Sequence, residues 1–105
     1  MKIHFTLFLI FIGLSTAQGQ FETPTFEDVD YVGNGDQAQL LDIYIPEGYN
    51  EPRPVVVYIH GGSWRQGSKG EAPRILHQLL NQHGFILVDI NYHLTDDKIF
   101  PAQIH

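Results

Sequence analysis

Two short apolar runs, residues 55–59 (VVVYI) and 85–90 (FILVDI), bracket a glycine-rich loop and a stretch of helical periodicity. That order leaves few folds open. Neither run alternates polar with apolar residues, and both are rich in β-branched side chains, so each reads as a strand meant for burial on both faces. Between them, Ile75, Leu76, Leu79 and Leu80 share one helical stripe over residues 74–83, and Gly84 stands where a left-handed C-terminal cap belongs. The helix start has two solutions. Ser68 and Glu71 have the spacing of a capping box, whereas Pro73 suits the first helical position. Strand, crossover helix and strand together imply parallel pairing and a right-handed connection, hence an α/β class.

Upstream, residues 26–32 (FEDVDYV) alternate and precede Asn34-Gly35-Asp36, a turn cluster typical of hairpins. Residues 39–45 (QLLDIYI) place Leu41, Ile43 and Ile45 on one face and Leu40, Asp42 and Tyr44 on the other, so an antiparallel pair is expected. Residues 46–54 form a proline-rich loop, residues 91–100 a polar one, and residues 101–105 read as the beginning of another helix. A chain of 105 residues, 43% hydrophobic, suits a globular domain but is short for covering both faces of a parallel sheet. The net charge of −6 argues against nucleic acid or an anionic membrane as the main partner. With no cysteine, disulfides, thiolate catalysis and cysteine-type zinc sites are excluded.

The first residues read as a targeting signal. Lys2 precedes an apolar run over residues 5–14 (FTLFLIFIGL), followed by the small residues Ser15-Thr16-Ala17, with Ala17-Gln18-Gly19 as a second cleavage site. The alternative is a membrane anchor, but the run is shorter than the roughly 20 residues a bilayer span needs. The absence of cysteine also rules out a bacterial lipid anchor. Residues 1–17 are therefore expected to be a signal peptide, residues 18–105 the mature segment, and the product secreted or periplasmic with no stable membrane anchor.

Chemistry enters at Tyr58-Ile59-His60-Gly61-Gly62-Ser63-Trp64, where a strand runs into a glycine turn. Consecutive residues without a Cβ let the backbone bend sharply and gather its N–H groups toward one point. Fixed donors of this kind stabilise the oxyanion that forms when an acyl carbonyl is attacked.

These residues resemble the α/β-hydrolase superfamily, and within it the esterase/lipase group whose loop after the third strand reads His-Gly-Gly-x. The likeness extends to the feruloyl- and acetylxylan-esterase-like branch. Leu41-Asp42-Ile43-Tyr44 with Pro46, residues 54–69 (PVVVYIHGGSWRQGSK), residues 85–92 (FILVDINY) and residues 100–103 (FPAQ) follow its order. The resemblance implies the N-terminal part of an α/β-hydrolase fold, with this chain supplying the first four of eight strands. It implies oxyanion donors at the backbone N–H groups of Gly62 and Ser63, a supporting turn at His60 and Gly61, and no cofactor or metal. Trp64 either lines an acyl or leaving-group pocket or covers the loop. His93 stands where the family usually has arginine, and Ser63 where it often has glycine.

The resemblance also implies a nucleophile elbow, Gly-x-Ser-x-Gly, followed by the acid and histidine of a triad. None is present: Ser63 follows Gly61 by two but precedes Arg65, and Ser68 follows Gln66 by two. The chain thus reads as the front portion of an esterase whose nucleophile lies beyond His105, acting on a small-molecule or polysaccharide ester. Alternatives are a peptidase or amidase on the same fold, or a non-catalytic binding protein that kept the scaffold. His60 reads as a brace for the turn because triad order places the catalytic histidine last, Asp89 as a hydrogen-bonded strand residue, and Asp96 and Asp97 as solvated. Residues 62–69 imitate a phosphate-binding loop, but serine precedes lysine, the wrong order. His77 and His83, six apart, do not share a helix face as metal ligands would.

If the leader is a signal peptide, mass spectrometry of exported material shows a new terminus at Gln18 or Gln20. An intact Met1 in the mature product refutes cleavage.

Overall fold

The computed structural model describes residues 23–104. The apolar leader, both cleavage positions and His105 lie outside that range. Four strands, β1 (Phe26–Asp30), β2 (Leu40–Tyr44), β3 (Val55–Ile59) and β4 (Ile86–Ile90), form one mixed sheet in the order β1-β2-β4-β3. The first pair is antiparallel, β2 and β4 are antiparallel, and β3 and β4 are parallel. The crossover between the parallel strands carries helix α1 (Arg74–Gln82), as the apolar pattern requires.

The β1–β2 connection is not a tight hairpin turn. It spans residues 31–39 and contains a 3₁₀ turn, Gln37–Gln39, begun by the Asp36 carboxylate accepting the Ala38 N–H. Three backbone N–H groups, of Val32, Gly33 and Gly35, converge on Asp30 and fold the loop about that carboxylate. The bonds from Gly35 and Gly33 hold its carboxyl below the usual range.

At its far end α1 closes as the glycine predicted. Gly84 has φ 71°, its N–H bonds Asn81 O, and the Phe85 N–H bonds Leu80 O, the paired pattern of a Schellman cap. Arg53 donates to the Gly84 and His83 carbonyls at 2.7 and 3.2 Å, placing a cation at the negative end of the helix. At the near end Pro73 is the N-cap, one residue earlier than its expected place, and Glu71 accepts the Ser68 N–H within the preceding loop. Of the helix start expected at residues 101–105, the described residues 101–104 form turns, with the Ala102 and Ile104 N–H groups bonded to Ile99 and Pro101 O in i→i+3 fashion.

The helical stripe divides on folding. Leu76, His77 and Leu80 turn toward the sheet, whereas Ile75 and Leu79 are exposed. The sheet has only one covered face among the described residues. Asp42, Asp89 and Tyr58 are in register on the α1 side. On the opposite face lie Ile43, Val88 and Val57, with Ile59 65% exposed beside them. A chain this short is expected to leave one face of the sheet uncovered, and it does: Val55, Val57 and Ile59 face away from α1, and β3 is an edge strand. The opposite edge, β1, is broken by a register shift between Phe26 and Val29 with Asp28 at φ 55°. No such irregularity interrupts β3, which leaves it an open template for strand addition.

The covered face carries a polar clamp. Asp89 is fully buried, and one of its oxygens accepts the N–H groups of Gly70 (2.8 Å) and Ala72 (3.4 Å). Burial raises its carboxyl above the ordinary value against the pull of those two bonds. Beside it, Asp42 takes both its oxygens to Lys69 Nζ, at 2.8 and 2.9 Å, and the same ammonium reaches Asp28 at 2.8 Å. Burial draws the Lys69 ammonium down, but the hydrogen bonds to Asp28 and Asp42 outweigh it, and the net shift is upward. The sign follows: the tie is fully present below pH 10.5 and is lost as pH rises through the shifted value.

Two outcomes are expected. The 105-residue chain produced alone self-associates through β3 and the uncovered face, and Val57→Lys suppresses this in sedimentation velocity; a monomeric parent with one sharp unfolding transition refutes it. Lys69→Met leaves Asp42 buried without a counter-charge and lowers the unfolding free energy in urea by roughly 3–5 kcal/mol, with partial recovery on adding Asp42→Asn.

Candidate active site

β3 delivers His60 into a buried position, and the chain turns immediately after it. The His60 ring stacks on Tyr92 with centroids 4.3 Å apart and planes 13° from parallel. The Tyr92 hydroxyl donates to the His60 carbonyl at 2.9 Å, and His60 Nδ1 lies 2.8 Å from the Gly61 carbonyl. Ring and carbonyl of one residue are thus both held by the segment after β4.

The turn itself is built from left-handed backbone. Gly62 has φ 116°, Ser63 φ 54° and Trp64 φ 59°. Glycine is required at 62 for a second reason: a Cβ there would run into the Gln66 carbonyl, because the chain folds back to bond Arg65 and Gln66 N–H to Gly62 O at 3.0 and 3.3 Å. Gly67 is confined likewise by the His60 ring. For Ser63 and Trp64, side chains in this region carry steric strain. The Trp64 carbonyl accepts both the N–H (2.8 Å) and the hydroxyl (3.1 Å) of Thr95, which holds the strained pair in place.

Among the described residues, the Gly62 and Ser63 N–H groups, expected as oxyanion donors, have no hydrogen-bond acceptor. They are consecutive, held by the strand, and left open for an outside acceptor. Ser63, Gly61 and His60 line a cavity of about 740 Å³. Its other walls come from Tyr31 and Val32 before β2, from Ile90 to His93 after β4, and from residues 102–104. Trp64 borders the same cavity and is 62% exposed, so its ring is a rim rather than a floor. The walls are apolar and aromatic, with Gln39, Asn91 and Gln103 as the neutral polar groups. This is the character of a small-molecule pocket.

Four contributors are not evident from sequence motifs. Tyr92 and Thr95 hold the turn as described, and the Asn91 side chain accepts the Lys69 N–H at 2.6 Å. Lys69 anchors the loop from below through Asp42. Tyr92, Asn91 and Lys69 fall within runs of the resemblance, FILVDINY and GSK, whereas Thr95 carried no sequence signal. Asp97 is exposed, as expected of a solvated loop residue, and also hydrogen-bonds the buried His93 ring at 2.8 Å. Asp89 sits where a hydrogen-bonded strand carboxylate was expected. His77 faces inward with its ring edge-on to Tyr44 at 4.5 Å, while His83 is the exposed helix C-cap, so the two do not meet. Among the described residues no cluster of three or more histidine or carboxylate ligands could hold a metal ion.

Comparison with known proteins agrees with this arrangement. A family model described as BD-FAE matches residues 41–105. An alpha/beta hydrolase of Acanthamoeba polyphaga mimivirus is 30% identical over 87% of this chain and 26% of its own length. Kynurenine formamidase of Danio rerio is 32% identical over 85% of this chain and 30% of its own length. A solved structure, a truncated form of a carbohydrate esterase from gut microbiota, superposes with TM-score 0.67 at 28% identity, covering 84% of this chain and 31% of that one. The chain therefore spans under a third of the length of these relatives. Matched over the strand, the glycine turn and everything downstream of them, the chain belongs to the BD-FAE family of alpha/beta-hydrolase-like proteins.

Proposed function

We propose that this segment supplies the oxyanion turn of a serine carboxylesterase, acting on acyl esters of small molecules or polysaccharides after export. The observation that carries the reading is the pair of consecutive amides, Gly62 and Ser63, without acceptors among the described residues, with Ser63 on the wall of an apolar cavity. In the reaction a serine outside this chain attacks the ester carbonyl, and negative charge develops on the carbonyl oxygen. Two fixed N–H dipoles lower that barrier because they need no reorganisation as the charge appears. The strained backbone at Ser63 and Trp64 holds them without relying on a titratable side chain. Membership of an alpha/beta-hydrolase-like family supports the reaction class, and the likeness to a carbohydrate esterase supports the substrate class. The apolar leader supports export.

A second reading, an amidase, draws support from the likeness to kynurenine formamidase, since one oxyanion turn serves both acyl bonds. Relative turnover of a p-nitrophenyl ester and a matched formanilide separates the two. A non-catalytic binding protein is the third reading. The coding sequence beyond residue 105 is expected to hold Gly-x-Ser-x-Gly at the next strand-to-helix turn, and an intact reading frame without it favours the binding protein.

In a protein that joins this segment to such an elbow, Gly62→Ala is expected to lower kcat by roughly 10²–10³, because the new Cβ cannot coexist with the Gln66 carbonyl. Ser63→Ala and Ser63→Gly keep the donor and retain kcat within about tenfold. Proline at 63 is a poor probe, since its φ near −65° conflicts with the observed 54° as well as removing the N–H. Full activity in Gly62→Ala, or equal loss in Ser63→Gly, overturns the assignment.

A further inference from the structure

His93 is 3% exposed, and both of its ring nitrogens face charged groups. Nδ1 lies 2.8 Å from Asp97 Oδ2, in the loop after β4. Nε2 lies 3.2 Å from Lys98 Nζ in the same loop and 3.4 Å from Asp36 Oδ2, in the β1–β2 connection. Lys98 and Asp36 are 3.6 Å apart. Among the described residues these three are the charged groups that face the ring, and the nearby Tyr31 hydroxyl, raised by its burial, also feels the Asp36 charge. The two loops form different walls of the cavity: Tyr31 and Val32 belong to one, His93 to the other.

The ring can satisfy this setting in two ways. With a proton on Nδ1 alone, it donates to Asp97, and the Nε2 lone pair accepts from Lys98. Asp36 is then reached only through Lys98. Adding a proton to Nε2 removes the acceptor, sets like charges against each other at Lys98, and places positive charge 3.4 Å from Asp36. One imidazolium then stands between two carboxylates, hydrogen-bonded to Asp97 and ion-paired with Asp36.

We propose that His93 is a proton-dependent latch that ties the β1–β2 connection to the loop after β4 and so fastens two walls of the cavity on acidification. An imidazole can take up a second ring proton and so change its charge, which a guanidinium does not do. The latch does not depend on which acyl bond the site cleaves.

The test is hydrogen exchange by mass spectrometry on the full chain at about pH 5.5 and 7.5, corrected for intrinsic exchange rates, with parent and variants at equal concentration. Protection in peptides spanning residues 31–36 and 93–98 is expected to rise ~10-fold at the lower pH in the parent. Asp36→Asn abolishes that difference yet keeps an oxygen for the Ala38 N–H, so the 3₁₀ turn survives. His93→Gln abolishes it too, His93→Arg protects at both pH values, and Lys98→Met retains the low-pH protection. A parent without the pH difference, or Asp36→Asn retaining it in full, overturns the proposal.

Discussion

The molecule is organised around two carboxylates that sit side by side on the covered face of the sheet. Asp42 of β2 and Asp89 of β4 are register partners, and neither can reach water freely. Two adjacent buried anions would repel each other and pay a desolvation cost, so each needs its own compensation. Asp42 has the Lys69 ammonium, and Asp89 has the N–H groups of Gly70 and Ala72. Apart from the Asp28 N–H, which also donates to Asp42, these compensating groups come from one short stretch, residues 69–72. The same electrostatic requirement that makes the sheet tolerable therefore fixes the loop between the glycine turn and α1.

Pinning that loop has a consequence at the other end of it. Residues 62–64 hold backbone that side chains disfavour, and such strain persists only where surroundings over-determine it. Here the constraints come from three directions. Lys69 and Gly70 anchor the loop below, Thr95 takes the Trp64 carbonyl, and Tyr92 holds His60 by ring and carbonyl together. The turn is rigid because β4 and the segment after it grip it, and β4 lies beside β3 because the crossover is parallel. Oxyanion donors gain from such fixity, since a donor that must move to meet the charge loses part of its advantage.

The opposite face of the sheet has the reverse character. Val57, Val88 and Ile43 line up across three strands with no layer over them among the described residues, and β3 ends the sheet with regular, unguarded backbone. Sheets of parallel strands are stable when layers cover both faces. A segment that spans under a third of its relatives has the site's turn well formed and one layer of its sandwich in place.

Local sterics made much of this readable from residue order. Val55–Ile59 and the run ending in Ile90 are β-branched and apolar, so they are strands, and the helical stretch between them dictates parallel pairing. Gly84 and Gly62 mark left-handed backbone where an added Cβ would also collide with a neighbour. What depended on distant partners was not readable. Periodicity grouped Ile75 and Leu79 with Leu76 and Leu80, but in the fold the first two are left exposed. Composition marked β3 as apolar on both faces, and a chain too short to cover both leaves one of them open, as the exposure of Val55, Val57 and Ile59 shows. Asp97 is solvated as expected, but its bond to His93, like the roles of Tyr92 and Thr95, arises only when the chain after β4 is brought against its partners. Strand identity and turn chemistry are set by the preferences of neighbouring residues. Which face is buried, which carboxylate meets which cation, and what walls a cavity are set by contacts between residues tens of positions apart, and these exist only once the chain has folded.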